Sequence, residues 1–295
     1  VISSCEVPSK ELVDDITKPL TFRATQNGST VKLTGYSPYT SFQTSRDGGN
    51  TWVDYKIDSA IALNTGDEVS FRAKSDRTSE QDYQHYFSFE MTGKIEAWHN
   101  VMSMYRKDDF ATHNTVLGFS FYSLFKDCTS LTKAPVLPAT TLAKNCYYEM
   151  FSGCTSLTKA PALPATTLAS ECYRDMFQGC TSLEKAPALP ATTLSYKCYS
   201  EIFKDCTSLT KAPVLPATTL VLDCYEYMFQ GCTSLTKSPE LPAATLDQFC
   251  YLYMFYGCSS LNEVHCKISS SYSSSEMSTL YSGSWLSGVS PTGTF

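Results

Sequence analysis

Between residues 19 and 98, apolar and polar positions alternate in short runs: "LTFRA", "STVKLTG", "SFQTS", "TWVDYKI", "AIALNTG" and "EVSFRAK". Period two over four to seven residues marks half-buried strands, and clusters such as "QNGS" and "RDGGN" between them supply the turns. A small β-sandwich over 19–98 is the expected result. From residue 128 the pattern changes. A unit reading "CTSLTKAPVLPATTLAKNCYYEMFSG" recurs five times through residue 257 with a period of 26 residues. A strict period in this range predicts a solenoid, in which each repeat buries its apolar face only against its neighbours.

Within the unit, "TSLTKA" reads as a short strand. The prolines of "APVLP" stop its ladder, because proline has no N–H to donate. Cys146, Met150, Phe151 and Cys154 follow at i, i+4, i+5 and i+8, which predicts one face of a short helix ended by the glycine of "SGC". Two units carry "KDC" there instead, and Asp tolerates a left-handed turn less well than Gly.

The same spacing bears on the cysteines, of which the chain has 13. On a helix, residues i and i+8 lie about 12 Å apart, too far for a disulfide within one turn. A zinc site wants cysteine pairs two to four residues apart, and no such pair occurs. Two columns of buried thiols are the reading this favours, with disulfides between repeats left open.

The order of strand, proline, turn and aromatic-bearing segment in "LTKAPVLPATTLAKNCYYEMFSGCTSL" resembles the BspA-like class of leucine-rich repeats. That class occurs in surface proteins of gut and oral Bacteroidetes and some anaerobic eukaryotes. The likeness covers about residues 119–266 and is most specific at F-x-G-C-T-S-L. "APxLP" stands where the commoner pattern has an isoleucine-rich strand. The resemblance implies recognition or adhesion at a cell surface, with no catalytic residues. The expected fold class is therefore α+β: an N-terminal β-sandwich, then a right-handed leucine-rich-repeat solenoid with a short strand and a short helix per turn. The expected divisions are 1–18 tether or leader, 19–98 sandwich, 99–127 N-terminal cap, 128–265 repeats and 266–295 C-terminal cap. That last segment resembles one that usually continues further, so stopping at Phe295 reads as cut short.

Composition narrows the function classes. A formal charge of −6 without a Lys/Arg cluster argues against nucleic acid. No apolar run is long enough to span a membrane. "VISSC" resembles a lipobox, making Cys5 a candidate for lipidation and the polar stretch after it a tether. "SRDGGNTW" (Ser45 to Trp52) matches an Asp-box, a turn in which the Asp satisfies backbone donors and the Trp packs beneath. One copy, with no arginine cluster beside it, reads as structural. Four scattered histidines, and the absence of G-x-S-x-G, H-E-x-x-H or a phosphate loop, argue against an enzyme. No cofactor is expected.

Two sets of residues are binding candidates. Lys133, Lys159, Lys185, Lys211 and Lys237 recur on the strand, where stacking spaces ammonium groups about 5 Å apart. Their mutual repulsion is roughly 1 kcal/mol per neighbour in water, so the column either splays over apolar stems or attracts an anionic partner. The second set lies where the units differ: Tyr148, Tyr196, Tyr227, Phe249, Tyr253 and Tyr256, aromatic anchors over a constant core. The column Tyr147, Tyr173, Tyr199, Tyr225 and Tyr251 is expected to cover the groove between turns. The reading is a secreted or outer-membrane surface protein that binds a host or bacterial surface protein or a glycan. Two other roles fit the same features: a receptor-binding or structural protein of a phage tail, and an accessory lipoprotein of an outer-membrane nutrient-uptake complex.

Overall fold

The structure, a computed structural model, describes residues 13–36, 41–80, 82–267 and 285–290. Cys5 and Phe295 lie outside the described residues, as do most of the expected tether and cap.

Among the described residues eight strands precede the repeats: β1 (Thr21–Ala24), β2 (Ser29–Gly35), β3 (Phe42–Ser45), β4 (Val53–Tyr55), β5 (Ile61–Leu63), β6 (Glu68–Ala73), β7 (Phe87–Thr92) and β8 (Ile95–Trp98). Six coincide with the alternating runs. β2, β5 and β7 form a three-stranded sheet, and the other strands form a larger sheet in the order β4-β3-β6-β1-β8. Phe22 of β1 and Phe71 of β6 meet Phe89 of β7 edge to face, with ring centres 4.7 and 5.2 Å away. The larger sheet does not end at β8. Its next member is β9 (Leu131–Lys133), paired parallel to β8 and already inside the first 26-residue unit. One hydrogen-bonded sheet thus runs from the N-terminal unit into the repeats.

The turn Ser45–Trp52 is a closed structural unit. Asp47 accepts from the Ser45 hydroxyl at 2.6 Å, the Thr51 amide at 2.9 Å and the Thr51 hydroxyl at 2.6 Å. These bonds hold its carboxyl well below the usual carboxylate range. The indole of Trp52 donates to the Gly49 carbonyl and lies under the Arg72 guanidinium, 4.2 Å away.

The repeats depart from the expected α+β architecture. The described residues contain no α-helix, only a 3-10 turn at Val101–Met104. Where a helix was predicted in each turn, the backbone is a ribbon of consecutive β-turns. Every fourth residue has a left-handed backbone: Asn145, Glu149 and Gly153 in one coil, Glu171, Asp175 and Gly179 in the next. Successive amides then alternate in direction. Tyr148, Met150 and Ser152 donate within the coil to the carbonyl three residues back. Asn145, Tyr147, Glu149, Phe151 and Gly153 donate across to Ser170, Cys172, Arg174, Met176 and Gln178 of the next coil at 2.7 to 3.1 Å. A helix would use all these amides internally and leave adjacent coils without a backbone ladder. The ribbon instead contributes five cross-coil bonds at each junction, beginning at Phe119–Asp127 and repeating through Asp223–Gly231.

The spacing i, i+4, i+8 fits a four-residue ribbon as well as a helix, and two adjacent positions in each four face inward. Cys146 and Tyr147, then Met150 and Phe151, then Cys154 are buried, while Tyr148 and Glu149 face outward. Left-handed backbone at a non-glycine residue costs about 1–2 kcal/mol. Asn, Asp and Gly, which tolerate it best, fill many of these positions. Asp127 and Asp205 of the two "KDC" coils adopt φ of 58°, the conformation that Gly153 and Gly179 adopt elsewhere.

Strand content in the repeats is small. Leu131–Lys133 forms β9, and β10 (Lys237–Leu241) pairs parallel with β11 (Glu263–Cys266). Between them only single bridges such as Lys159 to Lys185 and Lys185 to Lys211 survive, because the prolines interrupt the ladder.

Stacked side chains fill the interior. Phe89, Phe125, Phe151, Phe177, Phe203, Phe229 and Phe255 form one column with successive ring centres 5.3 to 5.9 Å apart. Trp285 closes it, and its carbonyl takes the amide of Phe255 at 3.0 Å. A second column runs from Phe121 through Tyr147, Tyr173, Tyr199 and Tyr225 to Tyr251. These tyrosines are fully inside rather than covering a surface groove, and the hydroxyls of the first four find no partner among the described residues.

The eleven cysteines of the two columns are buried free thiols. They are not merely apolar filler. Cys154, Cys180, Cys206, Cys232 and Cys258 each donate Sγ–H to a phenylalanine carbonyl of the preceding coil at 3.0 to 3.2 Å. Cys128 does the same to Phe89 of β7 at 2.9 Å. Burial raises these thiols, Cys180 to about 12, so they stay protonated and unreactive at neutral pH.

Two outcomes follow from this backbone. Gly179→Ala places a methyl where the nearest atom is 3.8 Å away, so only the left-handed φ of 69° opposes it. It should lower stability by about 1–2 kcal/mol in chemical denaturation, whereas a helical glycine would gain from the same change. Alkylation mapped by peptide mass should modify exposed Cys266 in the native protein. The column thiols should react only after unfolding, and rapid native labelling of Cys180 would contradict the packing.

Candidate recognition surface

Each ribbon turns two of every four residues outward, and these columns hold the aromatic candidates. They do not form one patch. Tyr227 and Tyr253 stack face to face at 4.9 Å, and Tyr256 meets Tyr253 edge-on at 5.8 Å. Lys204 lies 5.5 Å from the Tyr227 ring. Tyr256 is 42% exposed, while Tyr227 and Tyr253 are half-buried. Tyr148 belongs to a different row, stacked on Tyr122 at 5.1 Å, with Tyr86 against Tyr122 and Arg174 over the Tyr148 ring at 5.5 Å. Tyr196 is 41% exposed beside Lys197, and Phe249 is half-buried at a left-handed position. Tyr86 and Tyr122 were not singled out from sequence, since Tyr122 precedes the first full unit and Tyr86 lies in the N-terminal unit.

Between these aromatic rows lies a half-buried network of charges. Arg174 is within 3.3 Å of Glu171 and of Asp175 and 3.6 Å from Glu201. Lys204 pairs with Glu201 at 2.8 Å, and Lys197 with Glu226 at 2.8 Å and Asp223 at 3.6 Å. Asp175 is the most deeply placed carboxylate of the group. Burial, and then the charge of Glu201, push its carboxyl up to about 7 against the opposing pull of Arg174.

The lysine column occupies another part of each coil, and the structure divides it. Lys133 is committed within the chain: it donates to both carboxylate oxygens of Asp14 at 2.9 Å and lies 3.9 Å from the centre of the Trp98 ring. Lys237 pairs with Glu263 at 2.8 Å. Lys159, Lys185 and Lys211 are exposed and in bridge register with one another. Two adjoining clefts lie beside this column, one of about 290 Å³ lined by Lys133, Lys159, Pro135 and Pro161, the other of about 360 Å³ lined by Lys159, Pro161, Pro164, Pro187 and Pro190.

Among the described residues no group of three or more His, Cys, Asp and Glu side chains is placed to hold a metal. No helix of the described residues is long and apolar enough to cross a membrane. His85 and His113 lie beside acidic neighbours, Asp82 and Asp109, and His99 is buried at the joint, where its ring accepts the Asp15 amide.

Coils of one length, each carrying the same inward leucine, cysteine and phenylalanine, define the class as a leucine-rich-repeat protein. The family model for the BspA type leucine rich repeat region matches residues 121–236 and 174–284, in six copies. That span is more than half of the chain, which therefore belongs to the BspA-type leucine-rich-repeat family. No curated protein and no solved structure matches it.

The raised carboxyl of Asp175 fixes a sign for the pH response. Its folded pKa exceeds the unfolded value of about 3.9, so the folded state holds the extra proton and stability falls as pH rises from about 4 through 7. Asp175→Asn should flatten that fall and raise stability at about pH 8 by on the order of 1 kcal/mol. Chemical denaturation at about pH 5 and about pH 8 checks it, and an unchanged pH slope in the variant would sink the assignment.

Proposed function

We propose that this protein is a non-catalytic recognition module displayed at a bacterial cell surface or secreted, which binds a glycan or a protein through the outward columns of its repeats. The observation that carries this reading is the contrast within each coil. Inward positions repeat almost residue for residue, with Ile202 alone replacing the methionine of the other coils, while one outward ribbon register reads Tyr148, Arg174, Glu226 and Leu252, with Ser200 covered beneath its neighbours. A rigid scaffold with a variable face suits recognition.

The cluster Tyr227, Tyr253 and Tyr256 is the strongest contact point. Its rings hold one another in place, so little side-chain entropy is lost on binding, and phenol groups serve carbohydrate and protein partners alike. Exposed Lys159, Lys185 and Lys211 would favour a partner carrying negative charge.

A screen of the 295-residue chain against glycans and host-matrix proteins tests the reading. With a ligand in hand, Tyr256→Ala together with Tyr253→Asn should weaken binding at least about tenfold, the loss of one or two interface anchors. Asn suits the left-handed backbone at 253, so the fold should persist. Binding unaffected by that pair but abolished by Lys159→Gln, Lys185→Gln and Lys211→Gln together would overturn the aromatic assignment and move the site to the lysine clefts.

A further inference from the structure

The joint between the N-terminal sheets and the first coil contains a cation with no counter-charge among the described residues. Arg77 is 7% exposed. Its amide donates to the Tyr105 carbonyl and its Nη1 to the Ser120 carbonyl at 3.1 Å, which fixes the side chain across the joint. Nη2 is buried and finds no hydrogen-bond partner among the described residues. The nearby acid Asp76 is engaged elsewhere, by Arg106 at 3.1 Å and by the Lys107 amide. The Tyr105 ring, 5.6 Å from the guanidinium carbon, offers only the modest attraction of an aromatic face. A buried charge without a partner is strongly unfavourable, and water at Nη2 would supply a hydrogen bond but no opposite charge.

Arg77 lines a cavity of about 20 Å³ whose other walls are apolar residues, Tyr86, Tyr122 and Ser120. Burial lowers the Arg77 guanidinium to about 10, which still leaves it charged at neutral pH. We propose that this cavity binds a single small monovalent anion of the halide class, chloride in practice, held by Arg77 Nη2 between the N-terminal sheets and the first coil. Space on this scale suits one monoatomic ion and no polymer. Phe42 and Phe87 reach the cavity from the N-terminal strands, and Phe121 and Leu124 from the first coil. The ion would therefore tighten the contact between the two parts.

The test uses the whole chain. Chloride is exchanged for gluconate at constant ionic strength and the thermal unfolding midpoint is followed. Binding to the folded state alone should raise the midpoint by about 2–4 °C when chloride reaches ten times its Kd. Arg77→Met, which keeps the bulk and removes the charge, should lose the response. Crystals soaked in bromide should show an anomalous peak within hydrogen-bonding distance of Arg77 Nη2, a readout that stands even where the variant does not fold. A midpoint indifferent to chloride, a chloride response retained in Arg77→Met, or a bromide soak with no peak at Arg77 would each overturn the proposal.

Discussion

The repeat stack rests on where its amide hydrogens go. In the ribbon, one amide in two closes a β-turn inside its coil, and the other reaches the next coil. Every junction is then a backbone ladder of five bonds, independent of which outward side chains the coil carries. The left-handed residue at every fourth position is the cost of that arrangement. Among the described residues, fourteen of the sixteen non-glycine residues with positive φ lie in these ribbons, so the strain is spread along the stack rather than concentrated at a site. Net cross-coil hydrogen bonds of about 1 kcal/mol each are of the size needed to offset it.

That backbone dictates the interior. Ladder bonding brings identical residues of adjacent coils into register, so each buried position becomes a column. Phenylalanine rings at 5.3 to 5.9 Å stack from Phe89 to Phe255. The carbonyls of Phe125 to Phe255 each accept a cysteine amide of their own coil, and those of Phe125 to Phe229 also accept a cysteine thiol from the next. This explains cysteine in preference to alanine or valine at Cys154 and its equivalents: the site is small, apolar on one side, and faces a carbonyl with a lone pair left. At the N-terminal end, Cys128, Phe125 and Leu124 make the same kinds of contact with Phe89 of β7. The first coil is built onto the N-terminal sheets as onto another repeat.

Much of this was legible in the sequence. The period, the two cysteine columns, six strands and the interruption of the ladder by proline all follow from spacing and from the chemistry of proline. β7 and β8 were not picked out, although "FSFEMTGKIEAW" alternates well enough to show them. The helix was the substantive error. Buried residues at i, i+4 and i+8 do not distinguish a period of 3.6 from one of 4 over nine residues. The distinguishing signal was Asn145 and Gly153 in one unit and Asp175 and Gly179 in the next, turn-favouring residues set at multiples of four where a helix interior would disfavour them. The candidate surface was half legible: the variable aromatics Tyr148, Tyr227 and Tyr253 fall on outward ribbon columns. That Tyr227, Tyr253 and Tyr256 cluster while Tyr148 joins Tyr122 depends on cross-coil stacking, and that Lys133 and Lys237 are already paired depends on contacts to Asp14 and Glu263.

A constant ladder with free outward positions is what allows such a chain to vary its surface without endangering its fold, and the proposed recognition role depends on that separation. The most direct test of the ribbon is far-ultraviolet circular dichroism of the intact protein. The ribbon predicts a spectrum of strand and turn without the double minimum of α-helix. A pronounced helical double minimum, lost in step with the unfolding of the repeats, would contradict the ribbon and restore a helix to every coil.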